Sequence, residues 1–537
     1  MLRRFVFPFD YEHPGPPRDL SSLLGGKGAN LAEMTSVLNL PVPPGFTIST
    51  EACTEALKGA WPDGLREEIG KELTSLEQRV GRKLGDPNDP LLVSVRSGAS
   101  SSMPGMLDSI LNLGLNTASV QGLTGQTDDE RFALDSYRRF VCMYARVVLG
   151  IPGDPFDTAL SRQMAASGTS DPSDLTTRQL QSVLVQSLAA VREITGSPFP
   201  ENPMDQLEGA INAVFRSWMS PRATAYRERE GIDHNLGTAV NVQLMVFGNR
   251  DERSATGVGF TRNPSTGEHV PFGDVLFNAQ GEDVVAGIRK TLPLSELNHR
   301  LPYVYAELLG IFDTLELHYR DMCDTEFTIE QGKLWMLQTR SGKRTGRAAL
   351  RISVEMARDP SIALTRAEAV SRVTDEHLEQ VMKPQAGQQA SPTIATGLGA
   401  SPGIAVGRAC FSADAAVEAS DRGEAVILIR PETSPEDVHG MSVAEGVLTI
   451  RGGLASHAAV IARGWGIPAV VGAEALDLGT RSFTVGGIDV TEGEVISIDG
   501  TTGTVSMGTT ELIAADKPEE LDTILAWKQE LDHAVTR

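Results

Sequence analysis

Arg451-Gly-Gly-Leu-Ala-Ser-His457-Ala-Ala-Val-Ile-Ala-Arg463-Gly-Trp-Gly-Ile-Pro468 sets one histidine at a junction between a strand and a helix. The apolar run Gly446-Val-Leu-Thr-Ile450 before it reads as a buried strand, which Gly452-Gly453 ends. Ser456 is a candidate N-cap, and Ala458 to Arg463 reads as a compact helix stopped by Gly464, Gly466 and Pro468. His457 then lies in the first helical turn. Free backbone N–H groups and the positive helix end favour an anion there and disfavour an imidazolium. A neutral imidazole is a nucleophile, and those N–H groups would hold a phosphoryl group attached to it. A lone His near a helix start is more often a cap or a surface residue, so the case for chemistry rests on its surroundings.

At 537 residues the chain should form several domains. The net charge of −22 argues against a nucleic-acid partner or a membrane surface, yet a few local Lys and Arg can still hold phosphates. Cys53, Cys142, Cys323 and Cys410 show no metal-ligand spacing and suit packed thiols in a reducing cytoplasm. The start, Met-Leu-Arg-Arg-Phe-Val-Phe-Pro-Phe-Asp10, does not read as a signal peptide, and no run is apolar enough to span a bilayer.

Short strands and Gly-rich turns fill residues 1 to about 118, including Gly45-Phe-Thr-Ile-Ser49. Helical spacing dominates about 119–200, around Arg131 to Leu149 and Thr177 to Thr195, and reads as a helical insertion. β-branched runs return between Gly237 and Arg340. Residues 345 to about 393 look helical and end in a linker at Pro384 to Pro392. Short apolar strands and Gly turns surround His457 from Ala395 to about Gly508, and Glu519 to Val535 looks like an amphipathic helix. The pattern is that of a multidomain α/β and α+β protein.

No Walker A loop is present, and no G-x-G-x-x-G follows a strand. Three separated segments offer another frame for phosphate. Leu23-Leu-Gly-Gly-Lys27-Gly28 is a Gly loop that leads into a helix and carries a lysine. Val93-Ser-Val-Arg96 is a strand ending in an arginine fork, followed by the small-residue loop Ser97 to Gly105, whose N–H groups can close over phosphates. Asp324-Thr-Glu326 and Gln338-Thr-Arg340 read as two adjacent strands joined by a turn near Gln331-Gly332. Asp324 and Glu326 face one side of their strand. Oxygen ligands on neighbouring strands suit Mg²⁺ bridging nucleotide phosphates, and Arg340 would neutralise charge during phosphoryl transfer. Each piece alone has a duller reading: a common turn, a structural ion pair, a solvated strand face.

The segment Gly452 to Arg463 closely resembles the phosphohistidine motif of the pyruvate, phosphate dikinase and phosphoenolpyruvate synthase group. The three phosphate segments resemble the ATP-grasp half of the dikinases. So do Tyr137-Arg-Arg-Phe140, Ala213 to Trp218, Gly257 to Gly267 and Asn278 to Gly287. Met103-Pro-Gly105 and Asn278-Ala-Gln-Gly281 favour the dikinases over other members of the group. The resemblance implies an ATP-grasp domain over 1–343 and a helical linker over 344–393. A swivelling phosphohistidine domain over 394–510 and a connecting helix over 511–537 would follow. It also implies that His457 carries the phosphoryl group, with Arg340 also catalytic. Lys27, Arg96, Ser101, Gly105, Glu282, Asp324 and Arg340 would bind ATP, and Asp324, Glu326 and Gln338 Mg²⁺. Many dikinases have Thr two residues before the His, and a regulatory kinase modifies it in plants. Ala455 stands there in this chain.

Family dikinases continue into a (β/α)₈ barrel that binds pyruvate or phosphoenolpyruvate. This sequence reaches Arg537 inside what resembles the connecting helix. The expectation is therefore the first half of the reaction, in which ATP and phosphate give phospho-His457, AMP and diphosphate. A separate barrel protein would take the next step, and a homo-oligomer is left open. Two other readings stand beside it: a phosphotransferase to a different small molecule, and a non-catalytic nucleotide-binding partner of a full-length dikinase.

Overall fold

A computed structural model describes the chain apart from residues 1–2, 102, 104–105, 170, 286–290, 383–384, 387–391, 455, 511, 514–516 and 536–537. The described chain divides into two compact units. Met1–Arg250 with Trp335–Gln338 forms one, and Asp251–Leu334 with Thr339–Arg537 the other.

The first unit is built on an antiparallel sheet of five strands in the order Val6–Pro8, Gly45–Ile48, Thr238–Leu244, Val93–Ala99 and Ser109–Leu113. Thr238–Leu244 lies in the centre, so the β-rich run after Gly237 begins by completing the N-terminal sheet. Val93, Val95, Val240 and Val242 enter one apolar core with residues of the helices Leu65–Val80, Glu130–Val147 and Pro203–Ser217. The expected helices after residue 119 are present as Glu130–Val147 and Thr177–Thr195. Asp129 caps the first by accepting from the Phe132 N–H, and a Thr176/Gln179 capping box opens the second.

The second unit holds two large sheets, besides a three-stranded sheet over Asp477–Leu478, Ser482–Val485 and Ile488–Thr491 and a two-stranded pair. One has the order Leu292–Pro293, Phe272–Phe277, Ala255–Phe260, Cys323–Glu330 and Lys333–Ser341, with Trp335–Gln338 of the last strand counted with the first unit. The last two strands meet at Gln331 and Gly332, whose φ values of +53° and +81° suit the tight hairpin expected there. The helices Gly346–Arg358, Arg366–Ser371 and Asp375–Met382 follow, and the helix Glu519–Val535 buries Leu521 and Ile524 against Leu350, Val354 and Val381. Gln385–Ala386 pairs antiparallel with Leu512–Ile513.

The other sheet has eight strands around His457. Its centre, Ile404–Cys410, Val426–Arg430, Gly446–Thr449 and Ala469–Val471, is parallel. Parallel strands covered on both faces read as unbroken apolar runs, and Val426-Ile-Leu-Ile429 behaves so. Val426 and Leu428 pack with the helices Ala413–Asp421 and His457–Trp465, while Ile427 and Ile429 pack on the opposite side with Phe483 and Val490.

Candidate functional site: a buried histidine and an acidic strand face

Every residue of the strand Gly446–Thr449 is buried, and the helix His457–Trp465 follows it through a loop. The helix runs one residue past Gly464 and stops at Gly466, where φ is +63°. Ser456 has the extended backbone of an N-cap, but its side chain makes no cap hydrogen bond, and its buried Oγ has no partner. Ser456 is thus the N-cap, as its place in the sequence suggests, without its hydroxyl satisfying a helix N–H.

His457 is 9% exposed. Its Nδ1 lies 3.0 Å from the Thr433 hydroxyl, while Nε2 is buried and has no partner. Burial drives the imidazole pKa down to about 4, against the opposing pull of Asp437 and Glu436. Thr433 is held in a turn that Asp437 closes by accepting from the Ser434 N–H at 2.9 Å. It stands well upstream of His457, and no local pattern in the sequence marks it.

The loop before His457 lies on the other sheet of the same unit. Phe260 stands opposite Asp324, and Val258 stands opposite both Glu326 and Asp274. Cross-strand neighbours share a face, so Asp324, Glu326 and Asp274 share one. A Cβ added to Gly453 would come within 2.6 Å of an Asp274 carboxylate oxygen. Asp324 is only 3% exposed, and the Arg340 Nε donates to its Oδ2 at 2.8 Å. Its Oδ1 is buried without a partner. An Asp-x-Glu strand with one carboxylate this deeply buried is not the solvated face that the spacing alone allows. Sequence reasoning missed Asp274, which carries no motif.

In the first unit the structure joins the other two segments. The helix Ser21–Ala32 breaks at Gly25, with φ +66° and ψ 160°. A Cβ there would sit 1.6 Å from the Gly98 carbonyl oxygen, and one on Gly28 would sit 2.7 Å from the Thr47 Oγ1. The Gly loop of Lys27 is thus pressed against the strand that carries Arg96. Arg96 donates to the Leu337 carbonyl at 3.3 Å, one residue before Gln338. Ser101 is exposed. Gly105 and the Glu282 side chain lie outside the described residues. No group of three or more His, Cys, Asp or Glu side chains among the described residues is arranged to hold a metal ion. No helix among them is long and apolar enough to cross a membrane.

Residues 21–61, 56–292 and 304–360 match the family described as pyruvate phosphate dikinase, AMP/ATP-binding domain, and residues 423–503 match the mobile domain of PEP-utilising enzymes. Fold and matches together define a chain that joins a nucleotide-binding region to a mobile domain. The chain belongs to the pyruvate, phosphate dikinase family. It is 50% identical over 543 residues to the pyruvate, phosphate dikinase of Rhizobium meliloti (strain 1021), covering 98% of this chain and 60% of that protein. It is 48% identical over 534 residues to the pyruvate, phosphate dikinase of Clostridium symbiosum, with the same coverage. It is also 48% identical over 532 residues to the chloroplastic pyruvate, phosphate dikinase of Flaveria trinervia, covering 98% of this chain and 55% of that protein. The chain therefore spans about 60% of the length of the first two relatives.

Proposed function

We propose that this chain carries out the ATP- and phosphate-dependent half of the dikinase reaction, with His457 as phosphoryl carrier. One observation carries the reading: the Nδ1 of His457 is held by Thr433, while Nε2 is buried with no partner. When Nδ1–H donates to the Thr433 oxygen, Nε2 keeps its lone pair. The depressed pKa keeps that lone pair free at neutral pH.

Nε2 attacks the β-phosphorus of ATP. The bond from that phosphorus to the oxygen bridging the α-phosphate breaks, and AMP leaves. An oxygen of inorganic phosphate then attacks the γ-phosphorus, whose bridge to the β-phosphate breaks, and diphosphate leaves. Phospho-His457 remains for transfer to pyruvate, giving phosphoenolpyruvate, in a barrel on the same or another chain. Lys27 and Arg96 bind the phosphates with Ser101 and Gly105 of the small-residue loop, and Glu282 binds the nucleotide. Arg340, now on Asp324, neutralises charge as it develops.

The buried, unpartnered Oδ1 of Asp324 fits a cation, with Glu326 on the same face, and Gln338 would supply a further oxygen. Mg²⁺ bound there would offset phosphate charge, and it keeps several water or phosphate ligands, so two carboxylates suffice. In this reading 1–343 is an ATP-grasp domain with a helical insertion at about 119–200, 344–393 a linker, 394–510 the swivelling carrier and 511–537 a connecting helix. The match of 423–503 to a mobile domain supports the third of these. The four free cysteines suit the cytoplasm.

The test is acid-labile labelling of the purified chain with ATP labelled at the β-phosphate, with Mg²⁺, with and without inorganic phosphate. Label should form with AMP release and be lost in His457→Ala. In Thr433→Val it should form about tenfold more slowly, at unchanged ATP affinity, because Nδ1 loses its partner. Bound ATP with no label on the wild-type chain would overturn the reading and leave a nucleotide-binding regulatory module.

A further inference from the structure

Arg463 lies on the carrier helix six residues after His457 and is only 1% exposed. Among the described residues no carboxylate pairs with it. A buried cation without an ion pair is expensive, so its retention needs a reason. Its Nη2 donates to the Leu454 carbonyl at 2.7 Å, and its Nη1 to the Ala400 carbonyl at 3.3 Å. One planar fork thus ties the loop just before His457 to the strand Leu398–Ser401. Its outer face meets the other sheet. The guanidinium lies 5.5 Å from the ring centre of Phe260, the residue directly opposite Asp324. The charges of Asp324 and Asp274 favour the cation, against the burial that pulls its pKa down to about 10.

The surface around it carries little side chain. Gly453, Gly464 and Gly466 lie against Asp274, Lys343 and Gln380, where an added Cβ would come within 2.6, 2.8 and 2.4 Å of their side chains. The carrier's backbone comes close to that surface, and Arg463 supplies charge and direction.

We infer that Arg463 is a positioning residue: it fixes the loop that carries His457 and seats it on the face bearing Asp324, so that transfer from nucleotide to His457 depends on it. The inference rests on the carrier role proposed above. A lysine at this position would bring a compact ammonium with no planar fork to bridge two carbonyls while stacking on a ring. An apolar side chain of similar length would fill the space without the charge.

The experiment compares Arg463→Met and Arg463→Lys with the wild-type chain in three readouts. In both variants, labelling of His457 at saturating ATP should slow at least about tenfold, while the ATP concentration for half-saturation stays within about twofold. Hydrogen exchange at Ser456, whose N–H donates to the Gly453 carbonyl at 3.1 Å, should quicken at least about tenfold. Thermal stability of Arg463→Met should hold, because removing a buried unpaired cation offsets the lost hydrogen bonds. Labelling within about twofold of wild type in either folded variant would overturn the proposal. If Arg463→Met does not fold, Arg463→Lys carries the test. If the wild-type chain takes no label, the carrier reading fails, and exchange alone decides: unchanged exchange in the variants overturns the positioning role as well.

Discussion

The imidazole of His457 is protonated only near pH 4, because burial outweighs the attraction of Asp437 and Glu436. In the unfolded chain an ordinary histidine titrates near 6.5. The folded value is the lower one, so the folded chain prefers the neutral ring. That preference contributes its full stability above about pH 6.5 and loses it as pH falls through about 4. Two outcomes follow at this scale. Wild-type stability, measured by urea denaturation, should fall between about pH 6.5 and 4 more steeply than that of His457→Leu. Labelling of His457 should show no downward step near pH 6.5, since the nucleophile stays neutral there. A step at that pH, matched by an imidazole signal titrating at the same point in NMR, would show that the ring is not buried as described.

The Gly loop shows how one element is forced by another. Gly25 needs positive φ and has the Gly98 carbonyl where a side chain would begin, whereas a Cβ on its neighbour Gly26 would meet only carbonyl oxygens at 3.4 Å. Gly25→Ala should therefore cost about 3 kcal/mol or more through strain and overpacking. Gly26→Ala should lie within about 1 kcal/mol of wild type. Chemical denaturation of the two variants checks the contrast, and equal losses would show that the loop relaxes. Elements of this kind were legible where the signal is local. The buried strand before His457, the helix after it, the hairpin at Gln331-Gly332 and the helix Glu519–Val535 are each written in contiguous residues. What was not legible depends on pairing across the chain. Thr433 reaches His457 only because the parallel strands Val426–Arg430 and Gly446–Thr449 lie side by side. Asp274 joins the site only through the register that sets it opposite Val258. Arg463 belongs to the quoted stretch, but nothing in its spacing says that a cation at the end of a short helix is buried.

Across the whole molecule the reactive groups are divided unevenly. All four cysteines are free, and burial raises every thiol pKa: to about 11 for Cys53 and Cys410, and upward for Cys142 and Cys323. Cys53, Cys323 and Cys410 are buried, and Cys142 is partly so. Only the thiolate attacks electrophiles, so at pH 8 a thiol with a pKa near 11 presents about a hundredth of the thiolate of an ordinary cysteine. The thiols are suppressed as nucleophiles, while the same burial leaves His457 neutral and its Nε2 free. Desolvation acts in opposite senses on the two groups because it penalises charge: the thiolate is the reactive form of one, and the imidazolium the unreactive form of the other. The native chain should accordingly release little colour with a disulfide reagent such as DTNB over minutes at pH 8, and four equivalents in guanidinium. With ATP labelled at the β-phosphate it should take label that resists base and is lost in acid, as a phosphoryl–nitrogen bond requires and a phosphoserine does not. A thiol reacting within seconds in the native chain would contradict the burial of these groups. Acid-stable label would move the chemistry from His457 to a hydroxyl such as that of Ser456.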